Sequence, residues 1–263
     1  MAALPTVDLG GKPVSRLIVG GNPFSGNSHQ TPALSREMRD YYTTERIKAT
    51  LWECEAEGIN TFLGRADSHI QRMLIEYWNE GGRIQWIAQT APEMASIADN
   101  IRRIADGGAR WAYVHGGQCD RFVAAGTIEP LREAIAVGRE LGLIMGVGGH
   151  DPLTHVTLSR LDLGIQFHCC SLYNVGGTRG EVYLPEDRER MVSTVRELPT
   201  PVVAYKIMAA GRNDAEEAFS YAFSHLRATD AVCVGVFLKY RPHEIRQNAE
   251  LTRRYSEAKL WKT

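Results

Sequence analysis

The sequence predicts a (β/α)8 TIM barrel. Three observations lead there: about eight short apolar runs rich in Val, Ile and aromatics, a helical pattern following them in turn, and a length of 263 residues. Apolar runs that alternate with helical stretches are what a parallel sheet with crossover helices requires. Barrels of this class reach this size as one unit, so residues 1–263 are read as a single barrel domain.

The first strand is expected at residues 16–20, followed by a long, polar, glycine-bearing stretch at 21–42. Such a stretch reads either as a lid over the barrel mouth or as a solvent-exposed connection. A helix is then expected at 44–57, with Thr44 ahead of ERIKATLWECEAEG and Gly58 closing it. Strands at 59–63, 84–89 and 111–115 lead into helices at 69–80, 95–107 and 129–141, the last opened by Glu129-Pro130 and finished at Gly142. The remaining strands, 144–147, 165–170, 202–206 and 231–236, precede helices at 153–161, 187–198, 214–228 and 243–256. A second lid candidate, YNVGGTRGEVYLPEDR, covers 173–188. A doubly wound open sheet is the alternative. No G-x-G-x-x-G follows the first strand, and Gly20-Gly21-Asn22 runs into PFSG rather than a helix, which favours the barrel.

With 44% hydrophobic and 23% charged residues, the composition is that of a globular protein and not of a disordered, collagen-like or membrane chain. Thirty basic against thirty-one acidic side chains leave a net charge of -1, so no whole-chain field favours nucleic acid or an anionic membrane. The expected partner is a small-molecule substrate. The oligomeric state has no signature in the sequence. Five cysteines without a CxxC spacing argue against a disulfide framework or a thiolate zinc site, and a reducing cytoplasm is the expected location. The opening MAALPTVDLGGKPVS lacks the charged and apolar regions of a signal peptide, and no uncharged apolar run approaches the roughly 20 residues that cross a bilayer.

Side chains alternate across a strand, so Trp111, Tyr113 and His115 share one face, as do Gln166, His168 and Cys170, and again Val202, Ala204 and Lys206. His115 and His168 are expected to point inward. The turn MGVGGHDP supplies His150 and Asp151, with Gly148 and Gly149 allowing a ligand close to the backbone, and FLGRADSH supplies Arg65, Asp67 and His69. The mouth thereby collects His69, His115, His150, His168 and Lys206. One core histidine is usually a hydrogen-bonded structural residue; four at different strand ends point to chemistry. Lys206 reads as a base or nucleophile, or as half of a structural ion pair, and Gln166 as a ligand contact or interior packing. His115, His150 and His168 form a candidate set for a divalent transition metal with one position open, carboxylates being limited to Asp67, Asp120 and Asp151. Cys169 and Cys170 read as buried residues.

In ordered fragments from LGGKPVSRLIVGGNPFSG to the final helix, through AEGINTF, WAYVHGG, IQFHCCSLYN, VVAYKIMAAGR and VFLKYRPHEIRQNAEL, the chain resembles the aldo-keto reductase superfamily. The resemblance implies the same barrel, with hydride transfer from NADPH to a carbonyl through an Asp, Tyr, Lys and His tetrad. His115 matches the tetrad histidine. Leu63 or Gly64 stands in place of the Asp, His69 falls near the Tyr when RADSH is set against TADVY, and Gln89 or Thr90 replaces the Lys. Gln166 matches the residue on the nicotinamide amide and Tyr205 the aromatic beside the ring, whereas Gly148 and Gly149 replace a Ser-Asn pair. Lys239 and Asn248 match the phosphate-holding segment, Glu244 stands where an arginine is common, and Arg241 and Arg246 are candidates to compensate. If NADPH is used, the resemblance implies that Lys239, Arg241 and Asn248 hold it.

The expected function is a non-redox enzyme of lyase, isomerase or epimerase type, doing acid/base chemistry on a small hydroxylated carbonyl compound such as a sugar or keto-sugar. His69, His115 and Lys206 are the expected catalytic groups, with Asn22, Arg65, His150, Gln166 and Tyr205 around the substrate. An NADPH-dependent reductase with His69 or His115 as proton donor is the first alternative, and a non-catalytic small-molecule-binding barrel the second. Cofactor identity stays open between a divalent metal and NADPH.

Overall fold

A computed structural model describes residues 3–174 and 182–257. An antiparallel hairpin, β1 (Thr6–Asp8) and β2 (Pro13–Ser15), comes first. Eight parallel strands follow, β3 (Leu17–Gly20), β4 (Thr61–Arg65), β5 (Gln85–Gln89), β6 (Trp111–Val114), β7 (Ile144–Gly149), β8 (Phe167–Ser171), β9 (Val202–Tyr205) and β10 (Ala231–Gly235). They close into a barrel in the order β10-β3-β4-β5-β6-β7-β8-β9. Around it lie α1 (Pro32–Tyr41), α2 (Thr44–Ala56), α3 (Ser68–Asn79), α4 (Ile97–Asp106), α5 (Gly116–Ala125), α6 (Glu129–Glu140), α7 (Pro152–Ser159), α8 (Asp187–Glu197), α9 (Ala215–His225) and α10 (Glu244–Glu257). Among the described residues, no helix is long and apolar enough to cross a membrane.

Each expected strand and helix is present within a few residues. The hairpin, α1 and α5 were not foreseen. The stretch at 21–42 carries α1, capped by the Thr31 side chain on Leu34 N and started by Pro32, so half of that lid candidate is a helix. Of the second lid candidate, residues 175–181 lie outside the described residues.

The barrel interior is filled by Ile18, Leu63, Ile87, Trp111, Tyr113, Phe167, Cys169, Val203 and Cys233, together with Val7, Leu9 and Val14 of the hairpin. The hairpin therefore plugs the N-terminal end. Trp111 Nε1 donates to Leu9 O at 2.8 Å, and the hairpin turn brings Gly10 so close that a Cβ there would stand 2.5 Å from Ile144 Cγ2. Gly10 also has φ of 68°, a region that favours glycine. Alternate residues such as Val19, Phe62, Trp86, Ala112, Val147, Cys170 and Ala204 pack outward under the helices. At the same end of the barrel Asp230, fully buried, accepts from Val202 N (2.9 Å), Arg227 N (2.8 Å) and Arg227 Nη2 (2.9 Å), and the Arg227 guanidinium also reaches Thr200 O.

This alternation corrects two expectations. In β8 the inward residues are Phe167 and Cys169, so His168 and Cys170 face the helices. The bulky Phe167 sets that phase because Gly146 on β7 leaves room for it; a Cβ there would meet the ring at 2.6 Å. His168 instead shares a hydrogen bond with His155 of α7, Nδ1 to Nδ1 at 3.0 Å. In β9, Val203 and Tyr205 point inward while Val202 and Ala204 point outward. Lys206 lies just beyond that strand with φ of 59°, which releases its side chain from the alternation.

Two measurements check this packing. Gly146→Ala should overpack the barrel against Phe167 and lower the unfolding free energy by about 1–3 kcal/mol in urea titrations. Burial pulls the His155 imidazole from 6.5 down to about 4, and burial together with His155 drives His168 well below its ordinary value. Both are neutral in the folded barrel and protonate more readily once unfolded. The stability they confer is complete above pH 6.5 and lost as pH falls toward 4, so the urea midpoint should drop across that window, and less so in His155→Phe.

Candidate active site at the barrel mouth

The short helix α5 starts directly after β6, and its N-cap is His115. The ring Nδ1 accepts from Gly117 N at 3.2 Å, and the His115 backbone N–H donates to Thr90 Oγ1 at 2.9 Å. An Nδ1 that accepts leaves the proton on Nε2. Burial is the main reason the His115 pKa falls to about 4; His150, Arg65 and Lys206 nearby push the same way and Asp120 opposes them. At neutral pH this residue is a neutral imidazole with an Nε2–H to donate.

The second imidazole is held in the opposite tautomer. Asp120, on α5, accepts from the His150 backbone N at 3.1 and 3.2 Å and stands 2.9 Å from His150 Nδ1. Burial alone would raise the Asp120 carboxyl, but the bonds from His150 outweigh it and hold the group below its usual range. With Nδ1–H given to the carboxylate, His150 keeps its lone pair on Nε2, the arrangement of a general base. Glycine at 116 permits the approach: a Cβ there would stand 3.1 Å from Gly149 N and 3.2 Å from His150 Cε1.

Beside the imidazoles a cavity of about 290 Å³ opens against β9, β10 and β3. Asn22, Gln89, Tyr113, Tyr205, Lys206 and Glu244 are among its walls. Tyr205 links the cavity to the imidazoles: it lines the cavity while its hydroxyl donates to Gly149 O at 3.2 Å and its ring meets His150 edge-on at 5.9 Å. Gln89 Nε2 donates to Tyr113 Oη at 2.7 Å, and Asn22 Nδ2 lies 3.0 Å from His29 Nε2. Lys206 belongs to both regions, lining the cavity and acting on His115. A left-handed backbone at a non-glycine residue costs on the order of 1 kcal/mol, and such strain collects at functional sites.

Other expected site residues are elsewhere. His69 is exposed on the first turn of α3 and is not among the charges acting on His115. Arg65 reaches the mouth, but its guanidinium is paired with Glu93 and lies 3.9 Å from Asp67. Gln166 precedes β8 at the end of the barrel opposite the mouth, where Oε1 accepts from Met145 N at 3.1 Å, so it stands apart from the other expected site residues. The metal set is divided, since His168 sits in the helical layer away from His115 and His150. Asp67 and Asp151 are spent as caps of α3 and α7, and no group of three candidate ligands exists among the described residues. For NADPH, Lys239 is tied to Glu37 at the surface and Asn248 is buried in α10 outside the cavity; only Arg241 lines it, 3.9 Å from Glu244. These residues do not fit the phosphates of that cofactor. Asp120, Thr90 and Glu93 were missed as partners. HGGQCD did hold a signal, a carboxylate five residues beyond the histidine, but His-Gly-Gly reads as a turn and hid the helix.

No family model matches this sequence, and no curated protein does. Solved structures align over the barrel. A provisionally named aldo-keto reductase of Pseudomonas aeruginosa superposes with a TM-score of 0.64 at 16% identity, covering 95% of this chain and 94% of that one. The 3-keto-L-gulonate-6-phosphate decarboxylase of Vibrio cholerae gives 0.59 at 14%, covering 82% and 92%. Likeness at these identities shows the fold alone, a closed barrel of eight parallel strands.

Nitrogen-detected NMR of the imidazoles tests the site directly. His115 should show the Nε2–H tautomer with a titration midpoint near pH 4, and Arg65→Gln, by removing a nearby positive charge, should move that midpoint upward.

Proposed function

We propose that this barrel is a non-redox enzyme that moves protons on a small hydroxylated carbonyl compound such as a keto-sugar, by chemistry of the lyase, isomerase or epimerase type. The observation that carries the reading is the pair of imidazoles in opposite tautomers at one mouth, each fixed by a partner on α5. His150 Nε2 takes the proton from the carbon next to the carbonyl, and the charge that appears on its ring is met by Asp120. His115 Nε2–H hydrogen-bonds the carbonyl oxygen as it becomes an enolate, and the Lys206 ammonium supplies positive charge to the same oxygen. Returning the proton to the former carbonyl carbon, with the neighbouring hydroxyl proton passed to the old carbonyl oxygen, isomerises; returning it to the other face of the same carbon epimerises; and expelling a β-hydroxyl, which takes up a proton from the protonated base and leaves as water, completes a lyase. Asn22 and Gln89 offer amides to substrate hydroxyls.

The cavity against β9, β10 and β3, with Tyr205 in its wall, favours a second reading as an NADPH-dependent reductase. The disposition of Lys239, Asn248 and Glu244 weighs against it. Incubation of the purified protein with ketoses in deuterated water separates the two. Carbon-bound deuterium should appear without nicotinamide, and His150→Phe, His115→Phe and Lys206→Ala should each lower the exchange rate by about 10²–10⁴-fold. Turnover that needs NADPH, with no exchange in its absence, rejects the proposal.

A further inference from the structure

Glu244, the first residue of α10, contributes a carboxylate to the cavity wall. Only 11% of its side chain is exposed. Oε2 accepts from the Phe237 backbone N–H at 2.9 Å, while Oε1 faces Arg241 Nη1 at 3.9 Å, beyond hydrogen-bond reach. The cavity thus presents one carboxylate oxygen, anchored from behind and open to a donor. The charge of Arg241, 3.9 Å away, is offset by this same carboxylate, and Lys206 lines the cavity on its β9 side.

We infer that Glu244 sets the ligand class of the cavity: Oε1 accepts a hydroxyl of an unphosphorylated sugar-like ligand and turns phosphate esters away. This rests on the reading of the mouth as a site for hydroxylated carbonyl compounds and narrows it. A hydroxyl donor satisfies an acceptor that is nearly buried, whereas a phosphate dianion there would meet a like charge in a region that screens it poorly. The cavity size agrees. At about 290 Å³ it stands at the small end of ligand sites, which run roughly 300–1,000 Å³, and suits a monosaccharide better than a dinucleotide.

Calorimetric titration tests this with D-fructose, D-xylulose and dihydroxyacetone, each against its phosphate ester. At least one free ketose should bind the wild-type protein, with its ester weaker by about tenfold or more, the scale of one unfavourable charge contact. Glu244→Gln keeps an acceptor for Phe237 N–H while removing the charge, and should shrink that ratio. Glu244→Arg should reverse it. Failure of every free ketose to bind, equal binding of the esters by wild type, or a ratio unmoved in Glu244→Gln overturns the inference. Deuterium exchange on the same samples keeps the two ideas apart. A charge-dependent ratio without exchange removes the proton-transfer reading and leaves the role of Glu244, while exchange with a flat ratio does the opposite.

Discussion

Everything at the mouth depends on one constraint, the closure of eight short strands into a filled barrel. Inward residues such as Ile18, Ile87, Phe167 and Val203 leave no channel, and the β1–β2 hairpin shuts the N-terminal end with Leu9 against Trp111. A polar side chain can therefore act only if it is the last inward residue of its strand or lies just beyond it. Gln89 and Tyr205 satisfy the first condition, His115, His150 and Lys206 the second. A polar residue one position out of phase is lost to the helical layer, which is the fate of His168.

The second layer of control is α5. By starting at Gly116 without a connecting loop, it makes His115 its own N-cap and swings Asp120 back under His150. One ten-residue helix thus fixes both tautomers. The two glycines after His115 serve different ends: Gly116 permits contact with His150, and the N–H of Gly117 holds the His115 ring. A conventional loop at this point would have left both rings free to flip.

The barrel was legible because its evidence is repeated: a misplaced boundary at one strand is corrected by seven others. The site was legible only where local phase survived. Trp111, Tyr113 and His115 were read in register because large aromatics mark the inward face. In IQFHCC the polar residues suggested the opposite phase, and the determinant, Gly146 making room for Phe167, lies on a neighbouring strand and leaves no local trace. Lys206 reached the mouth for a reason other than the expected one, a left-handed backbone rather than alternation. His69 misled because resemblance to a motif does not fix where the first turn of a helix faces. Asp120 was seen as a mouth carboxylate, yet its bond to His150 spans thirty residues.

The two histidines are not interchangeable, and electrostatics says why. Protonation of His115 would put a cation in a buried position already acted on by Arg65, Lys206 and His150, so it stays neutral, which in the proposed reaction suits it to the role of polarising donor. In that reaction the positive charge for a developing enolate is assigned to Lys206, which lines the cavity. A positive charge formed on the His150 ring in the proposed proton transfer would face the Asp120 carboxylate 2.9 Å away. In the proposed reaction the base therefore follows β7 and the donor follows β6, and exchanging the roles would require an acidic partner for His115 that α5, occupying that position with backbone N–H groups, does not provide.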